Sequence, residues 1–415
     1  MRGLMNPIIS HLIKPGRKRS LAHTTISAAA QWRYLPATSA RRSSTSNTTY
    51  SGTRIDIEAI RAEMLSRPPQ MHPDIMSPTN SRLLLNTLSD FLPASAPQEH
   101  ASSLLPPGHH LVYFPLARPT SQLCPDGTDP YHSPLDTPFT RRMWAGGSIS
   151  GFAEESGLHL NSSKALCHER VLDVSVRGSA GSEKIFVEVQ REYVTRDEFD
   201  ALYDPGTKTL APRADRLTER RTLVFMRELS GEEKERNLAM EQRVVRSPLQ
   251  PTFSLKITPT PTLLFHYSAL SYNAHRIHID RSYCRAVEGH KDLLVHGPLS
   301  LTMMLSVLQS QLGVTGTGTG PGEGVEAIMG KGGDVGRKAE HVVIDRIDYR
   351  HLAPLYVGEE MRVCVAPSSH SQSQQDDYDE DGAKTRRTRS SRWDVWVENH
   401  KGGLSVKGVA VTKTI

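Results

Sequence analysis

A chain of 415 residues has room for two ordinary domains with tails, and its apolar content of 37% leaves part of that length unpacked. The formal charge of +5 is small, with its basic excess at the N-terminus, so no basic face interleaved with aromatics points to nucleic acid. No stretch approaches the roughly 20 apolar residues of a membrane span, and Cys124, Cys167, Cys284 and Cys364 form no CxxC pair, which argues for a reducing compartment and against a disulfide framework or a zinc site.

Residues 1–55 carry nine Arg and Lys and no acid, and the first carboxylate is Asp56. This acid-poor composition, rich in Arg and Ser, predicts a mitochondrial transit peptide, the alternative being a disordered basic tail. A secretory signal is not expected, because no apolar core of adequate length follows the first charges.

IDIEAIRAEMLSRPP then reads as a short amphipathic helix halted at Pro68-Pro69. TNSRLLLNTLSDFL predicts a second helix with Thr79 or Asn80 as cap, and LVYFPLA reads as a strand. In RRMWAGGSISGF, alternating apolar residues flank a turn signal at Gly146-Gly147. ALCHERVLDVSVRG, EKIFVEVQREYV and RRTLVFMREL alternate like half-buried antiparallel strands. Their Arg and Glu residues read as a solvated face, residues 228–250 as a charged linker, and the first half as catalytically quiet.

The centre of the chain is residues 266–305, HYSALSYNAHRIHIDRSYCRAVEGHKDLLVHGPLSLTMML. A loop crowded with His and Asn closes on a Gly-Pro step, and Pro298 suits the first turn of a helix. Leu299, Leu301, Met303, Met304, Leu305, Val307 and Leu308 make that helix apolar on nearly every side, as a helix wrapped by a sheet would be. Its free N–H groups would favour partial negative charge in front of His296 and Gly297, beside a loop of imidazole and amide groups. That pairing points to chemistry on a carbonyl compound.

The Gly-rich stretch 312–338 contains no GxxxxGK[ST] and predicts a flexible insertion. Strands resume at HVVIDRIDYRHLAPLYVGEEMRVCVA and at RWDVWVENHKGGLSVKGVAVTKT, with HKGG as a hairpin turn. Between them, SSHSQSQQDDYDEDGAKTRRTRSSR predicts a solvated loop. Two copies of a sheet wrapped on a helix would suit this length.

The central stretch resembles the MaoC-like, R-specific hydratase and dehydratase family of the hot-dog fold. That family's motif runs roughly Tyr-x-x-Ser-Gly-Asp-x-Asn-Pro-x-His-x-Asp, followed by a His-Gly step into the central helix. Tyr267, His278, Ile279, Asp280, His296 and Gly297 fall in register with it. The fit is closer to a branch whose loop reads like FSALTFNAHRIHYD, whose helix starts VHGPL and which carries an upstream RRMWAGG; here these are YSALSYNAHRIHID, VHGPL and Arg141 to Gly147. That branch includes mitochondrial 3-hydroxyacyl-thioester dehydratases and bacterial hydratases of mesaconyl-type thioesters. One departure stands out: the wider family's Asp is Asn273 here, and His275 and Arg276 replace its Asn-Pro. Asn273 cannot ionise.

The resemblance implies an α+β double hot-dog, two antiparallel sheets each wrapped around a central helix. Residues 56–250 would form a non-catalytic half and residues 251–415 the catalytic one. It implies a (3R)-3-hydroxyacyl-thioester dehydratase in the mitochondrial matrix, without metal or cofactor, acting on acyl-carrier-protein or CoA thioesters. The chain would be either a monomer serving as its own pseudo-dimer or a homodimer. His278 is the expected acid–base group, Gly297 N–H the oxyanion donor, and Asn273 the group fixing the substrate hydroxyl or a water. His275, Arg276 and His296 are expected to bind substrate or support the site, and Asp280 to cap or turn the chain. Two further readings are a hydratase of mesaconyl-type short CoA thioesters, with Arg276 holding a distal carboxylate, and a non-catalytic acyl-binding protein.

Overall fold

The computed structural model describes residues 56–93, 103–152, 157–179, 181–239, 244–315, 342–378 and 384–414. The expected transit segment, residues 1–55, and most of the Gly-rich stretch, residues 316–341, lie outside the described residues. Alternating apolar residues build the strands β1 (Gln70–Ile75), β2 (Arg141–Ser150), β3 (Lys164–Arg177), β4 (Lys184–Thr195), β7 (Thr218–Met226), β8 (Phe253–Ile257), β9 (Val342–His351), β10 (Met361–Tyr378), β11 (Lys384–Glu398) and β12 (Leu404–Thr414). A small ribbon, β5 (Tyr203–Asp204) with β6 (Thr209–Leu210), stands apart. The helices are α1 (Ile57–Ser66), α2 (Pro78–Leu88), α3 (Arg196–Leu202), α4 (Gly231–Ala239), α5 (Pro261–Leu270), α6 (Arg281–Ala286) and α7 (Gly297–Thr315).

The larger strands form one ten-stranded sheet in the order β1-β3-β4-β7-β2-β9-β12-β11-β10-β8. Every neighbouring pair in it is antiparallel. Read inward from either edge, the two halves have the same topology, β1-β3-β4-β7-β2 matching β8-β10-β11-β12-β9. They join where β2 pairs with β9, from Gly146 opposite Arg350 to Ser150 opposite Arg346. This is the α+β double hot-dog, its two repeats zipped into a single sheet.

The apolar run after Pro298 is α7, packed against β9, β10 and β11, with Leu299, Leu301, Met303, Met304, Leu305, Val307 and Leu308 fully buried. In the first half, the same place in chain order is filled differently. Between β1 and β2 stand α2, which packs on α5, and the 3-10 turn His109–Val112.

Five local expectations are corrected. LVYFPLA is no strand: Gly108 at φ +86° and Phe114 at φ +55° turn the backbone, leaving a 3-10 turn and coil. Gly146-Gly147 is not a turn but the interior of β2, after a bulge between Trp144 and Gly146. Both glycines lie where a Cβ would collide with the neighbouring strands, at the Tyr349 and Arg220 carbonyls. The cap of α2 is Ser77, one residue before Pro78, rather than Thr79 or Asn80. The supposed linker 228–250 contains α4, which starts on a capping box: Ser230 Oγ accepts from Glu233 N (3.2 Å) and Glu233 Oε2 from Ser230 N (2.8 Å). The acid-to-base stretch expected as a loop extends β10 and β11 as a hairpin, with Asp376 opposite Arg387 and Asp377 opposite Arg386 in the register.

Candidate active site

The site is assembled where the loop after α5 meets the start of α7. Thr260 caps α5, accepting from Leu263 N at 3.1 Å, and Pro261 fills its first position. Past Leu270 the chain turns through Tyr272 at φ +52°, and Asn273 N donates to Ser268 O at 2.8 Å. Asn273 Oδ1 accepts from His275 N at 3.0 Å, an Asx turn that leads into the 3-10 turn Arg276–His278. Asp280 then caps α6, accepting from Tyr283 N at 2.9 Å, as its expected role required.

His278 is held on three sides. Its Nδ1 lies 2.8 Å from the Leu294 carbonyl, which can only accept, so Nδ1 carries the proton and Nε2 the lone pair. Leu294 is itself fixed, its N–H donating to Ile277 O at 2.9 Å. The His296 ring stacks on His278 with centroids 3.7 Å apart, and the His275 ring meets it edge-on at 5.5 Å. Burial pushes His278 down from 6.5 to about 4, the Leu294 carbonyl pulling the other way. Burial holds His275 and His296 well below the ordinary range as well. At neutral pH these are three uncharged imidazoles.

Gly297 opens α7 directly after His296. A Cβ there would lie 3.2 Å from Trp144 Cβ and 3.3 Å from the His351 ring, so a side chain at this position would have to push both aside. Gly297→Ala should overpack this junction, costing about 1–3 kcal/mol of stability in a denaturant titration and displacing the helix-start amide from the cavity.

His278, Gly297, His275 and Asn273 all line one cavity of about 930 Å³. Its apolar walls come from both halves, the first contributing Leu111, Phe114, Trp144, Val189, Leu223 and Met226 among others. A half that reads as catalytically quiet from its own residues therefore supplies part of the enclosure. Two expected substrate contacts are not on that wall. His296 is fully buried behind His278, with Nε2 at 2.8 Å from Ser268 Oγ. Arg276 turns onto Asp280, with Nη2 at 2.8 Å from Oδ2, and lies over the Tyr283 ring. Sequence reasoning missed His351, a buried ring that lines the cavity against the Gly297 backbone. It also missed Asp126 and Arg142, which lie beside His275. For Arg142 the available signal was the RRMWAGG segment, which the resemblance singles out without assigning its side chains a role. Among the described residues no group of His, Cys, Asp or Glu could hold a metal ion.

The family model for hydroxyacyl-thioester dehydratase type 2 matches residues 108–318, half of the chain. A mitochondrial hydroxyacyl-thioester dehydratase type 2 from Schizosaccharomyces pombe is 28% identical over 72% of this chain and 90% of its own length. A mesaconyl-C(4)-CoA hydratase from Chloroflexus aurantiacus is 30% identical over 52% of this chain and 67% of its own. Among solved structures, a MaoC-like dehydratase from Phytophthora capsici aligns with a TM-score of 0.47 and 14% identity, covering 86% of this chain and 97% of that one. The matched residues run from the 3-10 turn that walls the cavity, through β2 and the loop of His278, to the end of α7. They make this chain a member of the hydroxyacyl-thioester dehydratase type 2 family.

Proposed function

We propose that the chain dehydrates (3R)-3-hydroxyacyl thioesters to trans-2-enoyl thioesters, reversibly, as a mitochondrial matrix enzyme of type II fatty acid synthesis. The observation that carries this reading is a neutral imidazole, His278, sharing a mostly apolar cavity with Gly297 at the start of α7. Membership of the family and the names of its mitochondrial relatives support the compartment and the reaction class.

In this reading the thioester oxygen lies at Gly297 N–H, where the helix start favours the charge that develops as the alpha proton leaves. His278 Nε2 takes that proton. The Cα–H electrons form the new double bond and the C3–O bond breaks. The imidazolium returns its proton to the departing oxygen, which leaves as water. Hydration is the same path reversed. A neutral starting imidazole suits this shuttle, because it must accept before it gives. Asn273 keeps its amide nitrogen for the substrate, its oxygen being engaged by His275 N. His296 stiffens His278 from behind. Catalysis belongs to residues 251–415, and residues 56–250 shape the tunnel, so the two repeats act as a pseudo-dimer within one chain.

A cavity of this volume with a mostly apolar wall has room for an acyl tail that a short dicarboxylic group would leave unfilled. The cation assigned to a distal carboxylate, Arg276, is engaged with Asp280 instead. Hydration of trans-2-enoyl-CoA esters of increasing length should therefore show kcat/KM rising with chain length. A preference for mesaconyl thioesters would overturn the chain-length reading, and no turnover of any enoyl thioester would overturn the function.

A further inference from the structure

Beside His278, three buried groups from different parts of the chain face one another without completing their hydrogen bonds. Asp126 Oδ2 lies 3.5 Å from His275 Nε2 and 3.7 Å from Arg142 Nε. Both nitrogens are shielded from solvent and neither has a hydrogen-bond partner. Two buried nitrogens within 3.7 Å of one carboxylate oxygen, yet short of a hydrogen bond to it, are costly to leave so. The carboxylate is held in place by its own loop. Its other oxygen accepts from Thr128 N at 3.0 Å and from the Thr128 hydroxyl, and its carbonyl accepts from Arg276 N at 2.9 Å. Gly127, at φ +86°, sits where a Cβ would strike the Ala274 carbonyl, so the first-half loop is pressed against the His275 loop.

We propose that Asp126, contributed by the first half, is a positioning residue that holds His275 as the anchor for the substrate 3-hydroxyl, or for the attacking water in hydration. This rests on the dehydratase reading above and replaces Asn273 as the group expected to fix that oxygen. With its Nε2–H directed at Asp126 Oδ2, the neutral ring of His275 has its lone pair at Nδ1. Because His275 lines the cavity and meets His278 edge-on, that lone pair accepts the hydroxyl hydrogen and leaves the oxygen's own lone pairs to the proton on His278. No proton passes through His275; it sets the oxygen's position and orientation. Arg142 confines the carboxylate from the other side.

The test is a double-mutant cycle on the full chain, read as trans-2-enoyl-CoA hydration with melting temperatures recorded for each variant. Asp126→Asn offers an amide N–H to Nε2 and forces the opposite tautomer, so kcat should fall by about 100-fold or more with KM nearly unchanged. His275→Asn keeps an acceptor near the Nδ1 position and has nothing to reach Asp126. In that background, adding Asp126→Asn should change kcat by less than about threefold. Imidazole 15N spectra of the unsubstituted protein should show His275 protonated at Nε2, a readout that does not depend on any variant folding. The inference is overturned if Asp126→Asn turns over within about threefold of the unsubstituted chain, if the two losses multiply, or if His275 is protonated at Nδ1. A chain that turns over normally while any of these holds has lost only this inference. A chain with no hydration at all removes the function beneath it as well.

Discussion

Replacing His278 with alanine should lower kcat for enoyl-thioester hydration by about 100- to 10,000-fold, the range for removing a positioned acid–base group, with KM altered much less. The split between the two constants follows from the cavity, most of whose wall is apolar and untouched by the substitution. A purely structural histidine would instead change the melting temperature and leave the residual activity per folded molecule intact. The unsubstituted enzyme should show a further signature. An ordinary imidazole base near 6.5 bends kcat/KM between pH 6 and 8. His278, pushed down to about 4 by burial, stays unprotonated across that interval, so the profile should be flat there. A bend near 6.5 that disappears in His278→Ala would contradict the buried, pre-oriented base.

The second large effect is on stability. His110, His278, His290 and His351 are each pushed down to about 4, in every case chiefly by burial. In the unfolded chain these rings take up protons below about 6.5, while in the folded state they refuse them until about 4. The unfolded state thus binds more protons throughout that window, and stability present above pH 6.5 drains away as pH falls toward 4. A drop from 6.5 to about 4 corresponds to something on the order of 3 kcal/mol for each ring. Against a typical total of about 5–15 kcal/mol, a few such terms decide whether the fold survives. Glu219, lowered from 4.5 to about 2 against its own burial by Arg221 and His110, adds a loss of the same sign at still lower pH. Denaturant melts at steps from pH 7.5 to 4.5 should show the midpoint falling steeply below pH 6.5. A midpoint unchanged down to pH 5 would mean that these rings are already charged or open to solvent in the fold.

What was legible in the sequence was local and periodic. The uniformly apolar run after Pro298 could only be a buried helix, and β3, β4 and β7 showed their alternation directly. The loop from Tyr267 to Asp280 revealed its chemistry because imidazoles and amides crowd into a few residues. What was not legible came from contacts distant in sequence. Trp144 and the Gly146-Gly147 pair look like a turn from their neighbours, and only the approach of β7 and β9 shows why glycine stands inside a strand. Asp126 lies in an ordinary Pro-Asp-Gly-Thr-Asp turn, and nothing near it indicates that it faces His275 across the halves. His296 matched the motif as well as His278 did, yet one ring lies in front of the other, an order that spacing alone does not encode. The helix of residues 231–239 was readable: Ser230 and Glu233 stand at capping-box spacing, and the lack of an apolar face concealed them.

The measurement closest to the centre of this account is the structure of the chain bound to an unreactive 3-hydroxyacyl thioester. The thioester oxygen should lie about 2.7–3.1 Å from Gly297 N. Its Cα should lie about 3–3.5 Å from His278 Nε2, with the acyl tail running along Leu223 and Met226. A ligand whose carbonyl points away from the start of α7, or whose Cα lies beyond reach of His278, would contradict the mechanism outright.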